Sequence, residues 1–365
     1  MLKNFWYACE LSSAITSKPK HLTMLNQEFV LYRNSQGQVF ALSDRCPHRG
    51  ASLSNGWVED GCIRCPYHGW KYQADGSCIE IPANQPGVPI PKKARLNTYP
   101  VQEKYGFIWL FWGDLPEKER PPIPLLPEFD TPGWRAVYGE LQWNTHYTRV
   151  LENAIDISHV PFIHRNSIGS GIADQPSIEE YDVRVGEWSA SATVTANQSN
   201  KTRGFWKTIL NRQESRPLRV TLSFYMPSIS RLEFDFPIGH FKIILFIAHI
   251  PIDANTTLSK WIVLRNFITL PFADRDARKR ALKTMLEDKP IIESQIPKVV
   301  PNHLTGELHV PSDNLSIVYR KFRKKCLDMG WGEESDVNVV DYTDDQISTD
   351  FLYQQIQEIA RLGNS

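Results

Sequence analysis

Much of what this sequence does not contain is informative. Its 365 residues include only six cysteines, at positions 9, 46, 62, 65, 78 and 326. So few in so long a chain make no disulfide framework, which excludes a small stapled secreted scaffold. Neither sign of charge dominates, since 41 Lys and Arg stand against 41 Asp and Glu. Binding to nucleic acid or to an anionic membrane surface calls for a basic excess, so neither is an expected partner. The longest apolar run, near Ile243 to Ile252, is too short to cross a bilayer. The opening MLKNFWYACELSSAITSK lacks the apolar stretch of a signal peptide. A soluble cytoplasmic protein is expected. There is no internal repeat and no low-complexity tract. A dinucleotide fingerprint is also missing: GSGIAD (Gly169 to Asp174) comes nearest and follows no clear strand–turn–helix pattern.

What is there has a clear order. The length suggests about two domains. The first third alternates β-forming runs with turns, at Asn34 to Gly37, Asp60-Gly61 and Asp75-Gly76, and reads as a small all-β domain. A proline-rich passage from Pro121 to Pro132 reads as a linker. Beyond it, WNTHYTRVLENAIDISHVPFIH reads as a helix up to Pro161, followed by several strand-like runs between Arg216 and Leu270. A strongly helical stretch spans Phe272 to Ile296. Two amphipathic helices are expected after it. One carries Leu315, Val318, Tyr319, Phe322 and Cys326 on one face, with Ser312 as N-cap; the other carries Phe351, Leu352, Ile356 and Ile359. The expected divisions are 1–120, a linker at 121–133, and 134–365.

The densest chemistry lies in CPHRGASLSNGWVEDGCIRCPYHGW, Cys46 to Trp70. It contains Cys46-x-His48 and Cys65-x-x-His68, with 16 residues between His48 and Cys65. Two thiolates and two imidazoles suit zinc, but zinc pairs are usually spaced by two residues or more. Cys62 also makes a C-x-x-C with Cys65, although Cys65 already pairs with His68. Both Cys–His pairs sit in loops that carry proline and glycine, so both can face one cluster. The pattern C-x-H…C-x-x-H resembles the Rieske iron–sulfur domain. That resemblance implies a [2Fe–2S] cluster with Cys46 and Cys65 on one iron and His48 and His68 on the other. Rieske proteins of respiratory complexes add a disulfide between the two loops. Ala51 and Tyr67 occupy the corresponding positions here, which is similar to the lower-potential domains of oxygenases and ferredoxins.

A second constellation follows in NAIDISHVPFIH, Asn153 to His164. His159 and His164 are five residues apart, about 140° around an ideal helix and too far for one metal. Pro161 between them can kink or end the helix and bring the second imidazole across. Downstream of a Rieske pattern, this resembles the D-x-x-H-x-x-x-x-H motif of the Rieske non-heme iron oxygenases. The resemblance implies that His159, His164 and a distant carboxylate form a facial triad on Fe(II). It also implies that Asp156 bridges to a Rieske histidine of the next subunit and carries electrons across. Glu152 and Asn153 are candidate supporting groups. Asp274, Asp276, Glu287, Asp288 and Glu293 are the available acids for the third position. LEDKPIIESQ resembles the family segment E-D-x-x-x-x-E-x-Q, which selects Asp288. Leu282, Met285 and Leu286 are expected to turn that helix inward, with Pro290 distorting it.

The resemblance covers nearly the whole chain and implies an oxygenase α subunit of α+β fold. An all-β Rieske domain would precede a helix-grip catalytic domain with an antiparallel sheet. It implies a homotrimer, because the neighbouring chain supplies the electron and the ring must close. NAD(P)H and flavin would reside on a partner reductase, with or without a ferredoxin. The reaction implied is hydroxylation or oxidative demethylation of a small aromatic or polycyclic molecule with O2, in the manner of α-only monooxygenases and O-demethylases. One alternative is an electron-transfer or sensing protein without turnover; the complete set of ligand types argues against it. Another is a chlorophyll-type pigment as substrate, although such enzymes usually end in a membrane anchor and this chain ends EIARLGNS. Pocket walls are expected from the strands between Arg219 and Phe267 and from the loop after His164, with Phe224, Tyr225, Met226, Phe246, His249 and Trp261 as candidates. Strand alternation places about half of these on the wrong face.

Overall fold

The computed structural model describes residues 1–165, 167, 182–196, 218–236 and 239–332. GSGIAD, most of the loop after His164 and the helix expected around Phe351 to Ile359 lie outside them.

Eleven short strands build the first domain. They are Phe5–Leu11 (β1), Lys20–Met24 (β2), Gln27–Arg33 (β3), Val39–Ser43 (β4), Trp57–Glu59 (β5), Cys62–Arg64 (β6), Lys71–Tyr72 (β7), Cys78–Glu80 (β8), Thr98–Tyr99 (β9), Val101–Lys104 (β10) and Phe107–Trp112 (β11). They form three antiparallel sheets, ordered β1-β11-β10, β2-β3-β4-β9 and β5-β6-β7-β8. The last two share a small core in which Val30, Leu42, Ile63 and Tyr72 are fully buried. The proline-rich passage that follows is packed: Ile123 and Leu126 are buried in the main core.

The second domain is a seven-stranded antiparallel sheet. Its strands are Arg135–Trp143 (β12), Val183–Val185 (β13), Ser189–Ala196 (β14), Leu218–Tyr225 (β15), Ile229–Asp235 (β16), Lys242–Pro251 (β17) and Thr257–Arg265 (β18). The order is β12-β18-β17-β16-β15-β14-β13. Helices Tyr147–Ala154 (α1), Val160–Ile163 (α2), Asp274–Ser294 (α3) and Asn314–Asp328 (α4) accompany it. Alternation gives β17 two different faces. Phe246 faces the first domain and meets Phe107 and Trp109 at ring distances of 6.3 and 6.4 Å. Ile243, Leu245, Ile247 and His249 face the opposite way, toward α3. One hydrophobic cluster runs through both domains. A buried ion pair from Lys260 on β18 to Glu10 on β1 joins them as well.

Three helix expectations need correction. The helix expected to reach Pro161 stops at Ala154. The Asp156 carboxylate accepts from the amides of Ser158 at 2.8 Å and His159 at 3.2 Å, which takes the chain out of helical geometry. The chain then restarts as α2, with Pro161 in its first turn, where a missing N–H has no partner to lose. Leu286 of α3 does not turn inward: it is 49% exposed, because it lies about 100° beyond the buried Met285. The N-cap position of α4 is Asp313, one residue after the expected Ser312.

Candidate metal centres

The two Cys–His loops are built alike. In the first, the Gly50 amide donates to the Cys46 carbonyl at 2.8 Å and the Cys46 amide to the Ala51 carbonyl at 2.9 Å. In the second, Gly69 donates to Cys65 at 3.0 Å and Cys65 to Trp70 at 2.9 Å. Gly50 and Gly69 share φ values of 71° and 72°, a left-handed turn that favours glycine. The loops bring the His48 and His68 rings to 4.6 Å, and His48 stacks on Trp70 at 4.5 Å. Both sulfurs are buried, and Cys46 Sγ lies 3.2 Å from the Tyr72 hydroxyl. Burial pushes the Cys65 thiol up, and the backbone amides of Tyr67 and His68 oppose that. His48 Nδ1 is buried without a hydrogen-bond partner. An orphaned imidazole nitrogen, two histidine rings brought together and a buried sulfur in each loop fit a bound iron–sulfur group. Behind the first loop, the buried Asp44 carboxylate accepts from the Ser54 amide at 2.6 Å and from the Ser52 hydroxyl at 2.8 Å.

The second set is assembled from distant parts of the chain. One atom from each of His159, His164 and Asp288 lies within 4.8 Å of the others. Asp288 Oδ1 is 3.1 Å from His164 Nε2 and 3.6 Å from His159 Nε2. Despite those distances it forms no hydrogen bond and is buried. Two imidazole nitrogens and a buried, unpartnered carboxylate oxygen facing one point fit a divalent metal. Each ring is held from behind. Asp156 Oδ2 lies 3.1 Å from His159 Nδ1, and Glu287 Oε2 lies 2.9 Å from His164 Nδ1. Burial alone would lower His164, but Asp288 and Glu287 outweigh it and raise its pKa. Burial likewise works against the Asp156 carboxylate, and His159 overcomes it, so its pKa is lowered.

The five acids weighed for the third position have separate occupations. Asp274 pairs with Arg135 and Arg265, both at 2.6 Å, and Asp276 pairs with Arg280 at 2.6 Å. Glu293 accepts from the Asn144 amide at 2.7 Å. Glu287 backs His164, and Asp288 alone faces both Nε2 atoms. The role of Glu287 behind His164 has no spacing pattern of its own; its place beside Asp288 is the one signal the sequence carries. Glu152 pairs with Arg320 at 2.6 Å, and Arg320 and Arg149 both reach Glu307. This buried network ties α1 to α4.

The triad opens into a cavity of about 410 Å³ between α3 and the sheet. Val220, Leu222, Leu245 and Ile247 line it from the sheet, and Ala277, Ala281, Met285 and Asp288 form a single stripe from α3. Asn153 also lines it. Trp143 Nε1 donates to Ser259 Oγ at 2.8 Å, and His249 lies between the hydroxyls of Ser259 and Ser230, 2.9 Å from each. Burial lowers the His249 pKa to about 3, so the ring is neutral. Of the six wall candidates, His249 lines the cavity and the other five do not. Phe246 is on the opposite face, and Phe224 packs on Tyr319 and Phe322 of α4.

Comparison with known proteins agrees with this architecture. Residues 5–100 match the Rieske [2Fe-2S] domain, and residues 143–329 match the vanillate O-demethylase oxygenase C-terminal domain. The methylxanthine N1-demethylase NdmA of Pseudomonas putida is 31% identical over 89% of this chain and 89% of its own. The toluene-4-sulfonate monooxygenase iron–sulfur subunit TsaM1 of Comamonas testosteroni is 35% identical over 47% of this chain. That match spans 49% of the subunit, about half the length of this relative. The structure of Pseudomonas putida NdmA with caffeine has a TM-score of 0.74 at 26% identity, covering 94% of this chain and 98% of that one. No described helix is long and apolar enough to cross a membrane. With a Rieske half, an oxygenase half and a full-length relative at this identity, the chain belongs to the Rieske non-heme iron oxygenases, which join a [2Fe–2S] domain to a mononuclear-iron domain.

Proposed function

We propose that this chain is the oxygenase component of a system whose electrons come from a separate NAD(P)H-dependent reductase, directly or through a ferredoxin. In this reading Cys46, His48, Cys65 and His68 hold the Rieske cluster, and His159, His164 and Asp288 hold Fe(II). When bound, the cluster relays single electrons and the mononuclear iron activates O2. The protein's own contributions are positional. Asp156 and Glu287 each accept from an Nδ1–H, which fixes the tautomer and leaves both Nε2 lone pairs for the metal. The apolar walls keep water from the reacting carbon. The Asn153 amide is a polar group on the described walls near the triad that can orient a substrate there.

The observation that carries this reading is the convergence of two Nε2 atoms and one unpartnered carboxylate oxygen, each imidazole backed by a carboxylate. The substrate class proposed is a small aromatic or polycyclic molecule, hydroxylated or oxidatively demethylated. NdmA is named a demethylase and TsaM1 a monooxygenase subunit, and both reactions draw on the same positioning. A homotrimer is part of the proposal. The Asp156 side chain remains 30% exposed and His68 is exposed, so a neighbouring subunit's cluster has access to Asp156.

Oxygen uptake with a surrogate reductase tests this. His159→Ala is expected to lose the mononuclear iron and all substrate-dependent uptake while keeping the cluster's visible spectrum. Unchanged iron and unchanged uptake would sink the reading.

A further inference from the structure

We propose that the substrate is elongated, carries one carboxylate or sulfonate at the end remote from the reacting carbon, and is received there by Arg265. This rests on the oxygenase reading and extends it to the other end of the same cavity.

The cavity is long. α3 lines it from Ala277 to Asp288, about 16 Å of helix. The sheet gives the same axis. His249 pairs with Ser259 toward the Trp143 end, and Ile243 pairs with Arg265 at the opposite end. α3 runs in the matching direction, since Glu293 bonds Asn144 and Asp274 bonds Arg265. Arg265 is therefore at the far end from the triad.

Charge is distributed unevenly along that axis. Toward the triad, the described walls offer an anion no free cation. His249 is neutral and engaged with two serines, and the Thr284 hydroxyl donates to the Arg280 carbonyl at 3.1 Å. At the far end the Arg265 side chain is only 5% exposed. Its Nε donates to the Ile268 carbonyl at 3.1 Å, and its Nη2 to Asp274 at 2.6 Å and to the Leu270 carbonyl at 3.4 Å. Its Nη1 is buried with no partner. Asp274 is shared with Arg135, so among the described residues two guanidiniums pair with one carboxylate. A buried cationic donor without an acceptor is costly, and a planar guanidinium edge suits a carboxylate or sulfonate. Arg280, also on the wall, is 76% exposed and marks where the cavity reaches solvent. The first ten residues of α3, DRDARKRALK, carry five bases against two acids, a field that draws anions to this mouth.

Calorimetry on the oxidised holoenzyme without reductant tests this apart from turnover. The probes are dodecanoate, dodecanol and benzoate. Dodecanoate is expected to bind about tenfold or more tighter than either, the effect of one charge-assisted contact over an apolar body. Arg265→Gln is expected to remove that advantage and leave dodecanol binding and the cluster spectrum unchanged. Arg265→Lys, which keeps the charge and the pairing with Asp274, is expected to retain part of it. Dodecanol binding as tightly as dodecanoate to the wild type, or Arg265→Gln weakening both equally, would overturn the proposal. The oxygenase reading depends on iron content and oxygen uptake, and neither enters this titration, so the two fail separately.

Discussion

The two candidate metal centres both use a pair of histidines, yet they are made in opposite ways. The Cys–His loops are local. Each closes on itself through a carbonyl–amide pair and a left-handed glycine, and the donors sit in the loop itself. The triad is a tertiary product. His159 and His164 depend on a helix that breaks after Ala154, and Asp288 arrives from a helix more than a hundred residues later. The support differs in the same way. Backbone turns position the loop donors, whereas side-chain carboxylates, Asp156 and Glu287, hold the triad imidazoles. The local site is thus sensitive to backbone conformation and the assembled site to its supporting side chains.

The largest effects that sharpen this contrast are expected behind the triad. Glu287→Ala and Asp156→Ala should each weaken Fe(II) binding by about 10–100-fold, the usual range for the groups that orient a ligand histidine. Competition with a chelator measures this. Cluster absorbance should stay intact in both variants, and its loss in either would show that the two centres are not independently built. Asp156→Ala should also slow electron arrival at iron reloaded by excess metal, which Glu287→Ala should not.

A smaller effect is expected at the loop glycines. A side chain at a φ near 70° costs about 1–2 kcal/mol. A Cβ on Gly69 would also lie 3.2 Å from Pro82 Cγ, whereas one on Gly50 meets nothing within 4 Å. Gly69→Ala should therefore lower the temperature at which cluster absorbance is lost by more than Gly50→Ala does. Equal effects, or an effect on Fe(II) affinity, would break the comparison.

The smallest effect concerns the anchoring of α3. Arg135, and then Arg265, lower the Asp274 pKa from the ordinary 3.8 to about 2. A lowered carboxylate stabilises the fold fully above its unfolded value, and that contribution falls away as pH drops from about 4 through about 2. Unfolding followed at pH 6 and pH 3 should show Asp274→Asn closing part of the gap between the two. A variant that loses the same stability at both values would contradict this.

These differences also explain what could be read from the sequence. Cys46, His48, Cys65 and His68 form a spacing pattern, and the two loops proposed to hold the cluster, being local, could be picked out from that spacing. His159 and His164 were legible because Pro161 lies between them, but the actual break comes earlier, from the Asp156 side chain bonding two amides. Choosing Asp288 among five acids needed a family segment, since nothing in periodicity says which helix face meets two distant imidazoles. The cavity walls were least legible. Phe246 and His249 lie on the same strand and face opposite ways, and the register that decides this is a property of the whole sheet.

The central claim, two separately built metal centres in one chain, is tested most directly by iron and acid-labile sulfide content with electron paramagnetic resonance of the reduced protein, for wild type and Asp288→Ala. Wild type should hold about three irons and two sulfides, and the variant about two of each with an unchanged reduced-cluster signal. Identical iron content in the two proteins, or sulfide lost together with the third iron, would contradict it.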